Sequence, residues 1–168
     1  VQNAKDTFYE MLRGRLAALN PGRTIVLRGV VRPGVLVGEN ELVSTAELPD
    51  CFRLRWTQVV CDPDGALATL ALQCEIDYET AGTAFNGGMD RGRALSAMDA
   101  ELQAAVNVAP LSAIKNNYAG LASGAAVKPM GTSIWWEQVV FGKTEIKDER
   151  LARTATVMVM SYEETGEL

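Results

Sequence analysis

Three carboxylates recur at alternate positions, Glu75, Asp77 and Glu79, and three more follow on a helical stretch, Asp90, Asp99 and Glu101. Paired carboxylates can exchange protons with a substrate or hold a divalent cation. A site of that kind needs partners converging from several elements. The three that alternate share one wet strand face, so their ordinary use is a hydrated, charged surface. A second stretch, Gly87-Gly88-Met89-Asp90-Arg91-Gly92-Arg93, leaves a strand and enters a helix, the setting in which backbone amides bind anions. It lacks both the GxxxxGK[ST] and the GxGxxG spacing. Its two arginines therefore suit ion pairs within the fold or with a neighbouring chain better than a nucleotide.

One absence narrows the chemistry further. The sequence has 0 histidines, which removes Ser-His-Asp and Cys-His nucleophilic catalysis and the usual zinc hydrolase sites. Any enzyme would have to work through carboxylates, Lys, Cys or a tyrosine such as Tyr78 or Tyr118. The 3 cysteines, Cys51, Cys61 and Cys74, are odd in number and lack metal-ligand spacing, so neither a disulfide framework nor a structural zinc is expected. Synthesis in a reducing compartment follows. Cofactors and metals are expected to be absent. A net charge of −5 makes the chain a poor wrapper of nucleic acid. No run is long and apolar enough for a membrane, and no signal peptide pattern is present, so a soluble protein is expected.

The elements that must position these residues are legible from their periods. Residues 3–19 place Phe8, Met11, Leu12, Leu16 and Leu19 on one helical face, and Asn20-Pro21-Gly22 ends the helix. Residues 24–31 are β-branched and predict one strand, with a bulge at Gly29. Residues 32–51 are broken by Pro33, Gly34, Gly38 and Pro49 yet carry isolated Val and Leu. They predict an extended loop or arm. Its apolar residues, Val35 and Leu36 with the adjoining Arg32, either reach another subunit or pack on their own domain. Alternation over 52–60 and 70–78 around Asp62-Pro63-Asp64-Gly65 predicts a β-hairpin. Leu70, Leu72, Cys74, Ile76 and Tyr78 form its buried face.

Gly82, Asn86, Gly87 and Gly88 then turn the chain into a helix with Leu95, Met98, Leu102 and Val106 on one stripe. Asp90 is expected to cap it. A short helical turn near residues 111–116 and a small-residue loop lead to a strand opened by Thr132. Its Trp135 and Trp136 point to opposite faces, one ring into the core and one outward, where it is either an interface anchor or covered by a helix. A charged turn over 142–149 precedes a last strand, 150–162, and residues 163–168 are an acidic tail expected to be mobile unless something holds it. The whole is a single α+β domain, 1–168: one antiparallel or mixed sheet flanked by an N-terminal helix and a central helix.

These residues also carry a resemblance. Met89-Asp90-Arg91-Gly92-Arg93-Ala94-Leu95 followed by Met98-Asp99-Ala100-Glu101-Leu102 resembles tail terminator (tail completion) proteins of long-tailed bacteriophages and prophages. The N-terminal amphipathic helix, Arg32-Pro33, Cys74-Glu75-Ile76-Asp77-Tyr78 and Ile134-Trp135-Trp136 agree with it, loosely over nearly the whole chain. The resemblance implies an α+β subunit of a homo-hexameric ring in the virion neck, assembled in the bacterial host cytoplasm. Such a ring ends tail tube polymerisation and joins the tail to head-completion proteins. Its partners are copies of itself, the tail tube protein and a head-completion or connector protein, with DNA passing through unbound and no membrane. It implies no catalytic residue and no cofactor. Asp90, Arg91 and Arg93 become candidates for bridging ring neighbours, beside Arg32, Val35, Leu36 and Trp135. A head-tail connector, a tail tube subunit and a small carboxylate-dependent enzyme are the rivals.

Overall fold

A computed structural model describes residues 1–41, 48–62 and 68–164, with no side-chain description for residue 122. The fold is α+β, a sheet-rich body with an N-terminal helix and a central helix. Helix α1, Gln2–Leu19, buries Ala4, Phe8, Leu12 and Leu16. Helix α3, Arg91–Val106, buries Leu95, Met98, Leu102, Ala105 and Val106. Between them in sequence lie the one-turn helix α2, Gly38–Glu41, and the hairpin of β4, Phe52–Asp62, with β5, Thr69–Thr80. Both long helices cover the same sheet face, where their apolar stripes meet Leu72, Cys74 and Ile76 of β5 in one core. Burying such stripes is the main favourable term in folding.

The main sheet runs β3-β4-β5-β10-β7-β6. Strand β10, Arg150–Tyr162, is its spine: one edge pairs with β5 from Leu151 to Tyr162. Along the other edge three short partners follow in turn. They are β9, Glu145–Lys147, then β8, Val140–Phe141, then the end of β7, Lys128–Trp136. Strand β3, Val35–Val37, lies parallel to β4, so the sheet is mixed. Strand β6, Ser112–Asn117, closes the far edge beside β7.

Four expectations are corrected. Residues 24–31 do not form one bulged strand. They split into β1, Thr24–Leu27, and the start of β2, Val30–Pro33, which pair with each other as a separate two-stranded ribbon. Arg28 and Gly29 have φ of 50° and 79°, the two left-handed residues that a tight hairpin turn needs. Residues 111–116 are extended rather than helical, because β6 gains β7 as partner and the Asn116 amide donates to Thr7 Oγ1 at 3.0 Å. The span 142–149 is no simple turn, since β9 within it pairs with β10. The arm, finally, is in part a strand: β3 joins the sheet edge, and the Tyr9 hydroxyl donates to the Val35 carbonyl at 3.3 Å.

Residues 42–47 of the arm, residues 63–67 of the hairpin turn and residues 165–168 of the acidic tail lie outside the described residues. The first two residues of that tail are held. The Glu163 amide donates to the Ala68 carbonyl at 2.9 Å, and Glu164 accepts the Thr132 amide at 3.1 Å. Beneath them Lys115 is 0% exposed, its ammonium donating to the Tyr162 carbonyl at 2.6 Å and to Ser161 Oγ at 3.3 Å. A buried ammonium is tolerable only with such acceptors around it.

Candidate assembly interface

The carboxylates that opened the question of chemistry are all engaged. Arg55 donates Nε to Asp77 Oδ2 at 2.7 Å and Nη2 to Glu75 Oε2 at 2.8 Å. Thr154 donates to the other Asp77 oxygen at 2.6 Å, and Arg150 pairs with Glu79. On the helix-covered side, Tyr78 is 1% exposed and donates its hydroxyl to Asp99, which also receives Arg153 at 2.8 Å. Burial first, then the Asp99 hydrogen bond, pushes the Tyr78 phenol far up, so it stays protonated and is no base. Glu101 accepts Arg23 at 2.7 and 2.8 Å and Asn20 at 2.8 Å. Burial would raise its pKa, but the Arg23 and Asn20 hydrogen bonds and the Arg23 charge hold it below the ordinary value. Among the described residues no group of three or more His, Cys, Asp or Glu is placed to hold a metal.

The stretch between β5 and α3 is built differently. Asp90 does not cap α3 with its side chain. Its carboxylate turns back to accept both the amide and the hydroxyl of Thr83, each at 2.9 Å, and these bonds hold its carboxyl below the usual range. The Thr83 carbonyl accepts the Gly88 amide at 3.1 Å, and the Asn86 carbonyl accepts that of Met89 at 3.1 Å. Arg91 lays its guanidinium over Gly88, where a Cβ would stand 2.4 Å from its Cζ and 2.7 Å from the Ala81 carbonyl. With a φ of 77° as well, this position admits little but glycine. Of the motif's charged residues, Asp90 and Arg91 thus shape the loop, while Arg93 stands exposed.

What the pinned loop shows to solvent is apolar. Phe85 is 99% exposed and Met89 92%. Phe85 is the residue that motif reasoning missed; the available signal was an aromatic side chain inside a glycine-rich turn, with no periodic partner to bury it. A second apolar display is the β1–β2 ribbon. Val26 and Val31 sit directly opposite one another, and both are exposed, as is Val30. The ribbon's other side, Ile25 with Leu27, packs on Leu36, Cys51 and Leu48.

The remaining expected interface residues have distinct fates. Val35 and Leu36 are 1% and 2% exposed, Val35 in the main core and Leu36 under the ribbon. They are closed inside their own chain and present nothing to a neighbour, because parallel pairing with β4 turns both faces of β3 onto apolar surface. Arg32 forms an ion pair with Glu41 of the same chain. Trp135 and Trp136 do point to opposite faces. Trp136 is buried, its indole donating to the Val106 carbonyl at 3.0 Å, whereas Trp135 is half-buried on the open face, 4.9 Å from the Tyr162 ring. Met89, Asp90 and Arg93 line one open depression with Asn86 and Gly92, and Phe85 stands one residue before it in the chain; Arg32 and Trp135 belong to other surfaces.

Comparison with protein-family models finds no match to this chain, and comparison with curated proteins finds none either.

Proposed function

We propose that this chain is a structural virion subunit, a tail terminator of a long-tailed phage or prophage. In this reading it forms a homo-hexameric ring at the head-proximal end of the tail, ends tube polymerisation and receives the head-completion protein. The observation that carries the reading is the pinned loop: Phe85 and Met89 held almost wholly in solvent beside the exposed Arg93. Two large apolar side chains left in water four residues apart suit a contact with another molecule. Phe, Met and Arg are among the residue types enriched at interfaces. The local signature of the resemblance to tail terminators begins at the end of this loop, Met89-Asp90, and runs on through α3 to Leu102. The exposed valines of the ribbon supply a second, different surface, and a closed ring needs two unlike surfaces on each subunit.

Light scattering on the purified protein, with negative-stain images of the same fraction, tests the proposal. A closed six-fold ring is expected, either in solution or on added tail tubes. Open-ended tubes would make the protein a tube subunit. A monomer or dimer that never associates with tails would overturn the virion assignment.

A further inference from the structure

The main sheet ends differently at its two edges. At the β6 end the edge is blunted. Lys115 turns inward to full burial, the register slips between Ile114 and Asn116, and the Asn116 amide already donates to Thr7 Oγ1 of α1 at 3.0 Å. Inward charges and bulges of this kind keep other strands from adding to a sheet. At the other end β3 covers β4 only from Phe52 to Leu54, and Glu39 accepts the Trp56 amide at 3.1 Å. Beyond that point residues 57–62 pair with β5 on one side, and among the described residues no strand pairs with the other. All are exposed, with Val59 turned to one face and Val60 to the opposite one. The stretch holds no Pro, Lys or Arg to turn a strand away.

An open edge offers amides and carbonyls to any extended segment, and the side chains select which one. Residues 58–62, Gln-Val-Val-Cys-Asp, complement themselves. Opposed residues of an antiparallel pair share a face, so a two-fold pairing must centre on one residue. Centred on Val60, it sets Val60 against Val60, each Val59 against Cys61 of the second copy, and each Gln58 against Asp62 of the second copy. β-branched pairs stabilise such a contact, whereas like charges directly opposed weaken it. In this register the two Asp62 carboxylates stand about 14 Å apart, at opposite ends. Centring on Cys61 would bring them to about 7 Å. Centring on Val59 would set Asp62 of the second copy against Trp56, whose amide Glu39 already holds. We propose that two copies join by antiparallel pairing of their β4 edges over residues 58–62, with Val60 on the two-fold axis. So short an edge buries less than the roughly 800 Å² per partner of a standard interface, so the dimer is reversible. A two-fold contact closes on itself and builds no ring, and the inference therefore stands apart from the ring assignment.

The test uses the full chain. Val60→Cys with Cys61→Ser should give a disulfide-linked dimer in high yield on oxidation, because opposed α-carbons about 5 Å apart suit the bond. Val59→Cys with Cys61→Ser should give little, since its opposite number is residue 61; with Cys61 retained it should cross-link. Val60→Lys sets two ammonium groups face to face and should weaken the dimer at least about tenfold by analytical ultracentrifugation, with an unchanged circular dichroism spectrum. Adding Val60→Glu chains should restore it. A wild-type chain with no such dimer, a V60C yield no higher than that of V59C in the serine background, or a dimer untouched by V60K would each overturn the pairing. Cross-linking of V60C to tail tube protein alone would overturn it too and give the edge to that partner. These outcomes leave the ring assignment standing, and a failure to form rings leaves the edge pairing standing.

Discussion

The β5–α3 loop and the β1–β2 ribbon both hold apolar side chains in water, but by different means. The loop closes on itself. Thr83, Gly88 and Asp90 exchange hydrogen bonds inside ten residues, and Arg91 packs over Gly88. The ribbon depends on the rest of the molecule. A two-stranded hairpin is marginal alone in water. This one rests on Leu36 and Cys51, and its base is tied to α3 and the end of α1 through Arg23, Glu101 and Asn20. A loop that carries its own hydrogen bonds can be loosened without disturbing the core, whereas loosening the ribbon works through a contact between distant elements.

That contrast can be broken from either side. The largest effect is expected from Glu101→Ala, which leaves the half-buried Arg23 without its carboxylate. A loss of about 3 kcal/mol follows from breaking such a pair. In a domain of this size that is roughly 9 °C in Tm. Hydrogen exchange should quicken over residues 24–33 and not over 83–90; equal quickening in both would deny that the two displays are held separately. Gly88→Ala comes next, at about 2 kcal/mol, from the left-handed backbone together with the crowding of Arg91 and the Ala81 carbonyl. Here the exchange pattern should invert, with the loop faster and the ribbon unchanged.

Acid should sharpen the difference. The Glu101 pKa is lowered in the folded state, so its stabilising contribution is fully present above the unfolded value of about 4.5 and is lost as pH falls through the folded value. Thermal unfolding of Glu101→Gln followed downward from pH 6 should therefore lie below the wild type at first and converge with it in acid. A constant gap would show that the carboxylate charge is not what matters. The smallest effect is expected from the double change Val26→Thr with Val31→Thr. Stability should move by no more than about 0.5 kcal/mol, since both side chains are already in water. Any weakening of self-association measured by light scattering would then be a property of the contact surface alone.

Much of this fold is written in local period. The helical stripe of Phe8, Leu12 and Leu16, the alternation of Leu70 to Tyr78, the stripe of Leu95 to Val106 and the long last strand each name their own buried face. A period of 2 or 3.6 needs no knowledge of the partner. The candidate site was legible in the same way, as a glycine-rich turn ending in Asp90-Arg91-Gly92-Arg93. What the residues in it do was not. Asp90 has the right type and place for a helix cap, and only the position of Thr83 decides that its oxygens face the loop instead.

Tertiary structure alone decided the rest. Three residues at 35–37 carry too little pattern to declare a strand; β4 supplies the edge that makes them one, and so encloses Val35 and Leu36. Strand β6 is likewise set by β7, and the ribbon by a two-residue turn whose left-handed backbone one glycine and one arginine share. Phe85 is exposed for a complementary reason: among the described residues, no segment arrives to cover it. Short-range periodicity determines which face of an element is apolar. Which elements meet, and so which apolar faces are left in water, is a property of the assembled sheet, because edge pairing joins residues that are remote in sequence.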